Sequence, residues 1–367
     1  MRVLQFANGY LKNGLYKLLF AELEKNGTEE SVFVPVKNGD SVPEAPSNVD
    51  IIPCFGTIDR ALFYRKQKKM MAWLEKNYDI SSYDIVHAHT VFSGGYAAYQ
   101  LKKKYGTPYI VAVRNTDINT FFKYMIHLRK LGVEIMRNAA CVIFLSPAYM
   151  ENTLNRWVPE SFREEIRKKS LVIPNGIAPI FFENISEPKT PPQNEIKLVY
   201  VGDINSNKNP ELTIRAAEKL IEDGKKVSLK LIGTIKEDKY RALINSKDFV
   251  THIDRVPHDI IIKHLKESHI FVMPSHAETF GLVYAEAMSQ GLPVLYTKGQ
   301  GFDGHFEEGF VGHAISDTDE NDMTDKIKAI LNNYTEISQN CINAVKKFNW
   351  QDIAAEYIDL YEKHKNK

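Results

Sequence analysis

Two doubly wound α/β domains are the fold that this 367-residue sequence predicts, on three observations. Short apolar runs, many of them β-branched or aromatic, recur along the chain. Longer stretches of helical spacing separate them, and apolar strands alternating with helices imply parallel sheets covered on both faces. The alternation occurs twice, on either side of ENISEPKTPPQNE (183–195), which three prolines mark as a loop. The length suits two domains of roughly 150–200 residues each.

The first series opens with RVLQFA (2–7) as a strand. GLYKLLFAELEKNG (14–27) follows as a helix, with Leu15, Leu18, Leu19 and Leu23 on one side and a glycine stop. SVFVPV (31–36) and VDIIPCF (49–55) read as strands, 59–77 as a long basic helix, and YDIVHAH (83–89) as a strand. GGYAAYQLKKKYG (94–106) is a helix before the strand PYIVAVR (108–114); helical spacing over 119–138 precedes CVIFLS (141–146). A helix near 148–157 and SLVIPNG (170–176), a strand and turn, end the series. The second series places strands at 196–202, 227–233, 250–254, 269–275 and 293–297. Helices are expected at 209–223, 237–246, 258–267 and 279–290, and at 321–333, 335–347 and 350–364. Ligands of such domains bind at the carboxyl ends of the strands, here expected in a central cleft that the two domains face.

The net charge of +1 gives no global pull towards nucleic acid, but it is unevenly spread. Residues 1–180 carry 24 Lys+Arg and 17 Asp+Glu, a balance of +7; the remainder carries 23 and 29, a balance of −6. Cys54, Cys141 and Cys341 are widely spaced and odd in number, which suits reduced thiols in a cytoplasmic protein and no metal site. MRVLQFANGY is too short and polar for a signal peptide, and no window approaches 18 apolar residues.

The most informative stretch is HAETFGLVYAEAM (276–288), in which the carboxylates of Glu278 and Glu286 flank apolar residues. A helix starting near Thr279 would offer unpaired N–H groups to a phosphate, with Gly281 allowing close approach. Over eight helical residues the two glutamates would lie about 12 Å apart along the axis and about 80° apart around it. That suits an elongated ligand with a sugar at each end, since a carboxylate accepts from two adjacent hydroxyls. The alternative is a solvated loop glutamate and a helix-surface glutamate, but a charge on a helix apolar on nearly every face requires a partner or a polar pocket.

With ETFGLVYAE, EAMSQGLPV, VIPNGI (172–177), VYVGDINSNKN (199–209), DIVHAH (84–89) and FNWQDIAAEYIDLY (348–361), the sequence resembles the retaining group 1 glycosyltransferases of GT-B architecture. That resemblance implies a nucleotide-sugar substrate, no separate cofactor and no bound metal. It places the acceptor in a domain of residues 1–176 plus a last helix, about 350–367, that crosses back. The nucleotide-sugar falls to residues 177–349. It implies that Glu278 holds donor-sugar hydroxyls, that Thr279, Phe280, Gly281 and Leu282 lie against sugar or phosphates, and that Glu286 takes the ribose diol. The base would rest on Arg255 and Val256 within DRVPHD, Lys208 would reach the diphosphate, and the loop at Gly14 would serve diphosphate or acceptor.

Two positions depart from the family pattern. Asp203 stands where an arginine usually meets the diphosphate, and Arg114, in VRNTD, stands where a histidine is common. The two substitutions suggest that Arg114 supplies the cation missing at 203; pairing with Asp117 is the alternative. His87 and His89 face one side of a strand end, and with Asp117 they are acceptor-side candidates or structural hydrogen-bonding groups. DTD (317–319) matches a metal-binding pattern of other glycosyltransferases, but in ISDTDENDMTDK it reads as a helix cap. Asp303 and His305, in QGFDGHFEEG (300–309), touch the donor or belong to a glycine-fixed loop.

The expected reaction is retaining, metal-independent transfer of a sugar from a UDP- or GDP-sugar to a hydroxyl of a glycan, lipid-linked or small-molecule acceptor, in polysaccharide or lipid-linked glycan synthesis. A nucleotide-sugar epimerase or a non-catalytic sugar-nucleotide-binding homologue is the alternative. A dinucleotide oxidoreductase is disfavoured because FANGYLKNGLYK holds no G-x-G-x-x-G. The basic segment 60–76 suggests peripheral contact with the inner face of a membrane, unless its apolar side, Leu62, Phe63, Met70, Trp73 and Leu74, faces the core.

Overall fold

The computed structural model describes residues 1–12 and 14–366, and all of their side chains except those of Arg60 and Ala61. Lys367, the last residue of the expected C-terminal segment, lies outside that description. The chain forms two units: Met1–Leu145, Met150–Pro174 and Trp350–Lys367 make the first, and Ser146–Tyr149 with Asn175–Asn349 the second.

The first unit is built on seven strands, β1 (Arg2–Phe6), β2 (Glu29–Lys37), β3 (Val49–Phe55), β4 (Ile85–Ala88), β5 (Tyr109–Ala112), β6 (Cys141–Phe144) and β7 (Ser170–Val172). They pair in parallel in the order β3-β2-β1-β4-β5-β6-β7. β4, β5 and β6 are buried along their whole length, as strands covered on both faces must be. The helix Trp350–His364 belongs to this unit, packing Trp350, Ile353, Ala354, Tyr357, Leu360 and Tyr361 into the core with Leu19, Phe20 and Leu23.

That helix is also held by polar contacts. The Tyr361 hydroxyl meets Nδ1 of His87 at 2.7 Å and accepts from Nε2 of Gln5 at 3.1 Å, and His89 Nε2 lies 2.8 Å from Gln5 Oε1. Both imidazoles are fully buried, which pushes their pKa well down. They fasten a helix to a sheet and present no face to an acceptor, which corrects the expectation that one of them does. Tyr361→Phe removes a shared partner of two buried groups and should cost about 1–3 kcal/mol, read from the denaturant midpoint.

The second unit has β8 (Ile196–Val201), β9 (Val227–Ile232), β10 (Val250–Ile253), β11 (Ile270–Met273), β12 (Val294–Thr297) and β13 (Gly312–Ile315). Their order is β10-β9-β8-β11-β12-β13, all parallel, so the strand order reverses between β8 and β11. Sequence patterning missed β13, whose GHAI is neither long nor strongly apolar. Gly312 lets it in: a Cβ there would lie 1.9 Å from the Val294 carbonyl oxygen.

Other differences are local. The helix expected over 59–77 is two, Thr57–Ala61 and Phe63–Asn77, because Asp59 gathers the Gly56 N–H, Arg65 and Lys69 around the first turn. The stretch 119–138 begins as a wide π turn at Asp117–Phe122 and becomes α-helical only at Arg129–Asn138. A further helix, Glu160–Arg167, was not expected.

Candidate functional site

In the second unit the loops after β8 and β11 meet at the point where strand order reverses, the general ligand position of such sheets. They are joined directly. The His276 N–H donates to the Asn207 carbonyl, the Asn207 side chain donates to the Ala277 carbonyl, and Asn209 Nδ2 donates to the Pro274 and Asp317 carbonyls. Asn209 holds φ +54, the αL conformation asparagine tolerates, and the helix Pro210–Glu222 starts at once after it. This fixes Lys208 beside Glu278: Nζ and Oε2 are 2.5 Å apart, and both side chains are mostly buried.

The geometry of the two glutamates differs from a continuous helix. Helix begins only at Leu282 and runs to Met288, so the rise and rotation expected from eight helical residues do not apply between Glu278 and Glu286. Residues 278–281 form a loop closed by Gly281 at φ +77, where a Cβ would also strike the Tyr284 ring at 2.5 Å. The Thr279 N–H donates to the Glu278 carboxylate, and Phe280 is buried against His305 and Phe348. The helix start therefore lies at Leu282 and Val283 rather than at Thr279–Gly281.

A neighbouring loop supports this one. Gln300 Oε1 accepts the Glu278 N–H, the Gly301 N–H donates to the Glu278 carbonyl, and a Cβ on Gly301 would sit 2.1 Å from the carbonyl carbon of Thr279. Asp303 accepts the Gly299 N–H and so closes a turn. Asp319 likewise accepts the N–H groups of Asn321 and Asp322 at the start of Glu320–Asn332.

Beyond the carboxyl ends of β8 and β9 is a cavity of about 840 Å3. It brings together five of the residues expected on the donor: Asp203, Arg255, Val256, Leu282 and Glu286. Its floor is Gly202 and Gly233, packed so closely that a Cβ on Gly233 would lie 2.0 Å from the Gly202 carbonyl oxygen. Both β8 and β9 run directly into a glycine, in YVG and LIG; that repeated ending was the available signal for Gly233. For Gln300 and Gly301 the available signal was QGFDGHFEEG (300–309) as a glycine-fixed loop.

Glu286 is 8% exposed on this cavity. Burial alone pushes its carboxyl up to about 7 through the loss of water. Arg255 opens onto the same space, and Asp203 is half-exposed, 3.9 Å from Lys236. The cavity thus presents a desolvated acceptor for hydroxyls, while the loops after β8 and β11 hold the Glu278 carboxylate and the Lys208 ammonium together outside its lining.

In the first unit Arg114 is half-buried, and hydrogen bonds to the hydroxyls of Tyr16 and Tyr357 engage its guanidinium. Asp117 is fully buried and accepts the N–H groups of Arg114 and Phe92, with its carboxyl raised to about 6 by burial. It is a loop-closing group with no surface to offer an acceptor, contrary to the expectation for it. Gly14 directly precedes the helix Leu15–Lys25, with open space where a Cβ would be.

Comparison with known proteins agrees with this architecture. The glycosyl transferases group 1 model matches residues 181–348, and the glycosyltransferase family 4 model residues 17–179. An uncharacterised glycosyltransferase of Methanocaldococcus jannaschii is 25% identical over 285 residues, 76% of this chain and 75% of that protein. Sucrose-phosphate synthase of Thermosynechococcus elongatus superposes with a TM-score of 0.74 at 20% identity, over 99% of this chain and 98% of the other. Anabaena HepE, solved with UDP-glucose, superposes at 0.66 and 16% identity over 99% and 100%. The two parallel sheets, the reversal point occupied by Lys208 and Glu278, and these matches together make the chain a member of the group 1 glycosyltransferases with the GT-B fold.

Proposed function

We propose that this glycosyltransferase moves a sugar from a UDP- or GDP-sugar to a hydroxyl acceptor with retention at the anomeric carbon and without a bound metal. The observation that carries the reading is Glu286, a buried carboxylate opening on a cavity that Arg255 and the two glycines complete. A ribose diol supplies two donors to such a group, and Arg255 and Val256, which line the same cavity, would carry the base. The UDP-glucose bound to Anabaena HepE supports a nucleotide-sugar here.

At the other end a donor diphosphate would compete with Glu278 for the Lys208 ammonium. Taking Lys208, it frees the Glu278 carboxylate for the sugar hydroxyls. The departing diphosphate gains charge as the glycosidic bond opens, so a fixed ammonium beside it lowers the barrier. Arg114 is a candidate for a second cation, and the acceptor hydroxyl attacks on the side the diphosphate leaves. A glycan or lipid-linked acceptor in the cytoplasm, at the inner face of a membrane, is the reading we favour; the basic first half supports it.

A thermal-shift screen with UDP-, GDP- and ADP-sugars, repeated on Glu286→Ala, tests the site: one donor should stabilise the parent and not the variant. Lys208→Ala should lower kcat by about 10²–10³-fold with a smaller change in KM, because its charge matters most in the transition state. NMR of the product anomer tests retention. Release of free nucleotide only when acceptor is added separates transfer from the epimerase-type alternative, which would instead return an epimeric nucleotide-sugar and which the negative charge of Asp203 in the cavity leaves open.

A further inference from the structure

The sequence offered segment 60–76 as a membrane contact unless its apolar side faces the core. The structure turns most of that side inward: Met70 and Leu74 are fully buried, and Trp73 stacks on Phe33 of β2. Leu62 stays outside, together with residues not on that side. Ile58, Tyr124 and Ile126 are 68, 69 and 67% exposed, and Leu62 and Tyr64 about half. A soluble surface rarely exposes so many large side chains in two short segments.

Rings join the two segments. Phe63 lies 6.1 Å from Phe121, 5.3 Å from Tyr64 and 5.5 Å from Tyr96, centroid to centroid, so 58–64 and 121–126 form one patch of the first unit. Its surroundings are cationic. Among the described side chains of residues 57–74 are Arg65, Lys66, Lys68 and Lys69 and one acid, Asp59, which is buried under Arg65 and Lys69. Residues 120–130 contain Lys123, Arg129 and Lys130 and no acid. Through Tyr64 and Tyr96 the patch continues into a cavity of about 530 Å3 where Lys68, Lys103 and Lys104 outnumber Glu75.

We propose that this patch seats the first unit on an anionic lipid surface, with Ile58, Leu62, Tyr64, Tyr124 and Ile126 entering the headgroup–acyl boundary and the lysines around them meeting lipid phosphates. Apolar area and cationic rim act together in such binding, and neither alone suffices. A second copy of the chain is a poor occupant, since self-association on this face would oppose two cationic rims. The proposal stands independently of the donor site and of the acceptor's identity.

The test is co-sedimentation of the full chain with vesicles of phosphatidylcholine alone or mixed with phosphatidylglycerol. Binding is expected only to the mixed vesicles, and to weaken as salt is raised. Ile58→Ser/Tyr124→Ser/Ile126→Ser should lower the partition coefficient at least about tenfold, and Lys68→Glu/Lys123→Glu should do the same. Both variants should keep the parent's circular dichroism and melting temperature, because every substituted side chain is exposed. Equal binding to both vesicle types, undiminished binding of either variant, or no binding by the parent would overturn the proposal. So would a concentration-dependent dimer that the serine variant abolishes, which would make the patch a self-association face.

Discussion

Glu286→Gln should raise the melting temperature of the unliganded protein at pH 8 and weaken its stabilisation by nucleotide. Burial lifts the Glu286 carboxyl from 4.5 to about 7. Between those values the folded chain binds more protons than the unfolded chain, so stability falls as pH rises from 4.5 to 7 and stays low above it. The displacement corresponds to about 3 kcal/mol at pH 8, or roughly 6–12 °C for a unit of this size. A glutamine of the same shape carries no charge to desolvate and is spared that loss. The gap between variant and parent should therefore close towards pH 4.5, a profile readable by scanning calorimetry across pH. Nucleotide affinity should move in the opposite direction. The ionised carboxylate is the better acceptor for two hydroxyls, so binding of the parent should strengthen through pH 7 and the variant should lose that dependence. A Glu286→Gln variant no more stable than the parent at pH 8 would show that the carboxylate is hydrated, and the site assignment would fail with it.

Gly301→Ala should be nearly as damaging to turnover although Gly301 is no candidate for contact with a donor. Its added Cβ would fall 2.1 Å from the carbonyl carbon of Thr279, 2.3 Å from the Phe280 nitrogen and 2.4 Å from the Thr279 oxygen. These are backbone atoms and cannot swing aside, so the 278–281 loop must move. Overpacking of this kind costs about 1–3 kcal/mol, and a shift near 1 Å at a positioning group costs about 10²-fold in rate. Because Glu286 sits on the helix beyond the loop, turnover should fall further than nucleotide affinity does. Steady-state kinetics and calorimetric titration with UDP separate the two; an alanine variant with unchanged kcat would mean that the loop tolerates displacement.

Much of the site was legible because its residue types carry their own reasons. A lone carboxylate among Leu282, Val283, Tyr284 and Ala285 demands a partner or a polar space, and Glu286 opens on one. Arg255, Val256 and Asp203 converge on the same cavity from two other loops. The Glu278–Lys208 pair was less legible, since the motifs assign each side chain a separate duty and only the joining of two loops makes them neighbours. His87, His89 and Asp117 went the other way. Their positions at strand ends suggest an exposed ligand face, but the helix Trp350–His364 covers His87, Tyr16 and Phe20 of the helix Leu15–Lys25 pack on His89, and the turn after β5 closes over Asp117.

The sequence by itself determined two parallel α/β sheets, the loop that separates their series, and a carboxylate set among apolar residues at Glu286, because hydrophobic period and local residue chemistry act over a few neighbours. Tertiary structure alone decided where the helix after β11 begins, which histidines are buried, and which apolar side chains near residues 58–64 and 121–126 stay outside. Those outcomes depend on what lies across from a residue, and a one-dimensional pattern holds no record of the opposite partner until the chain has closed upon itself.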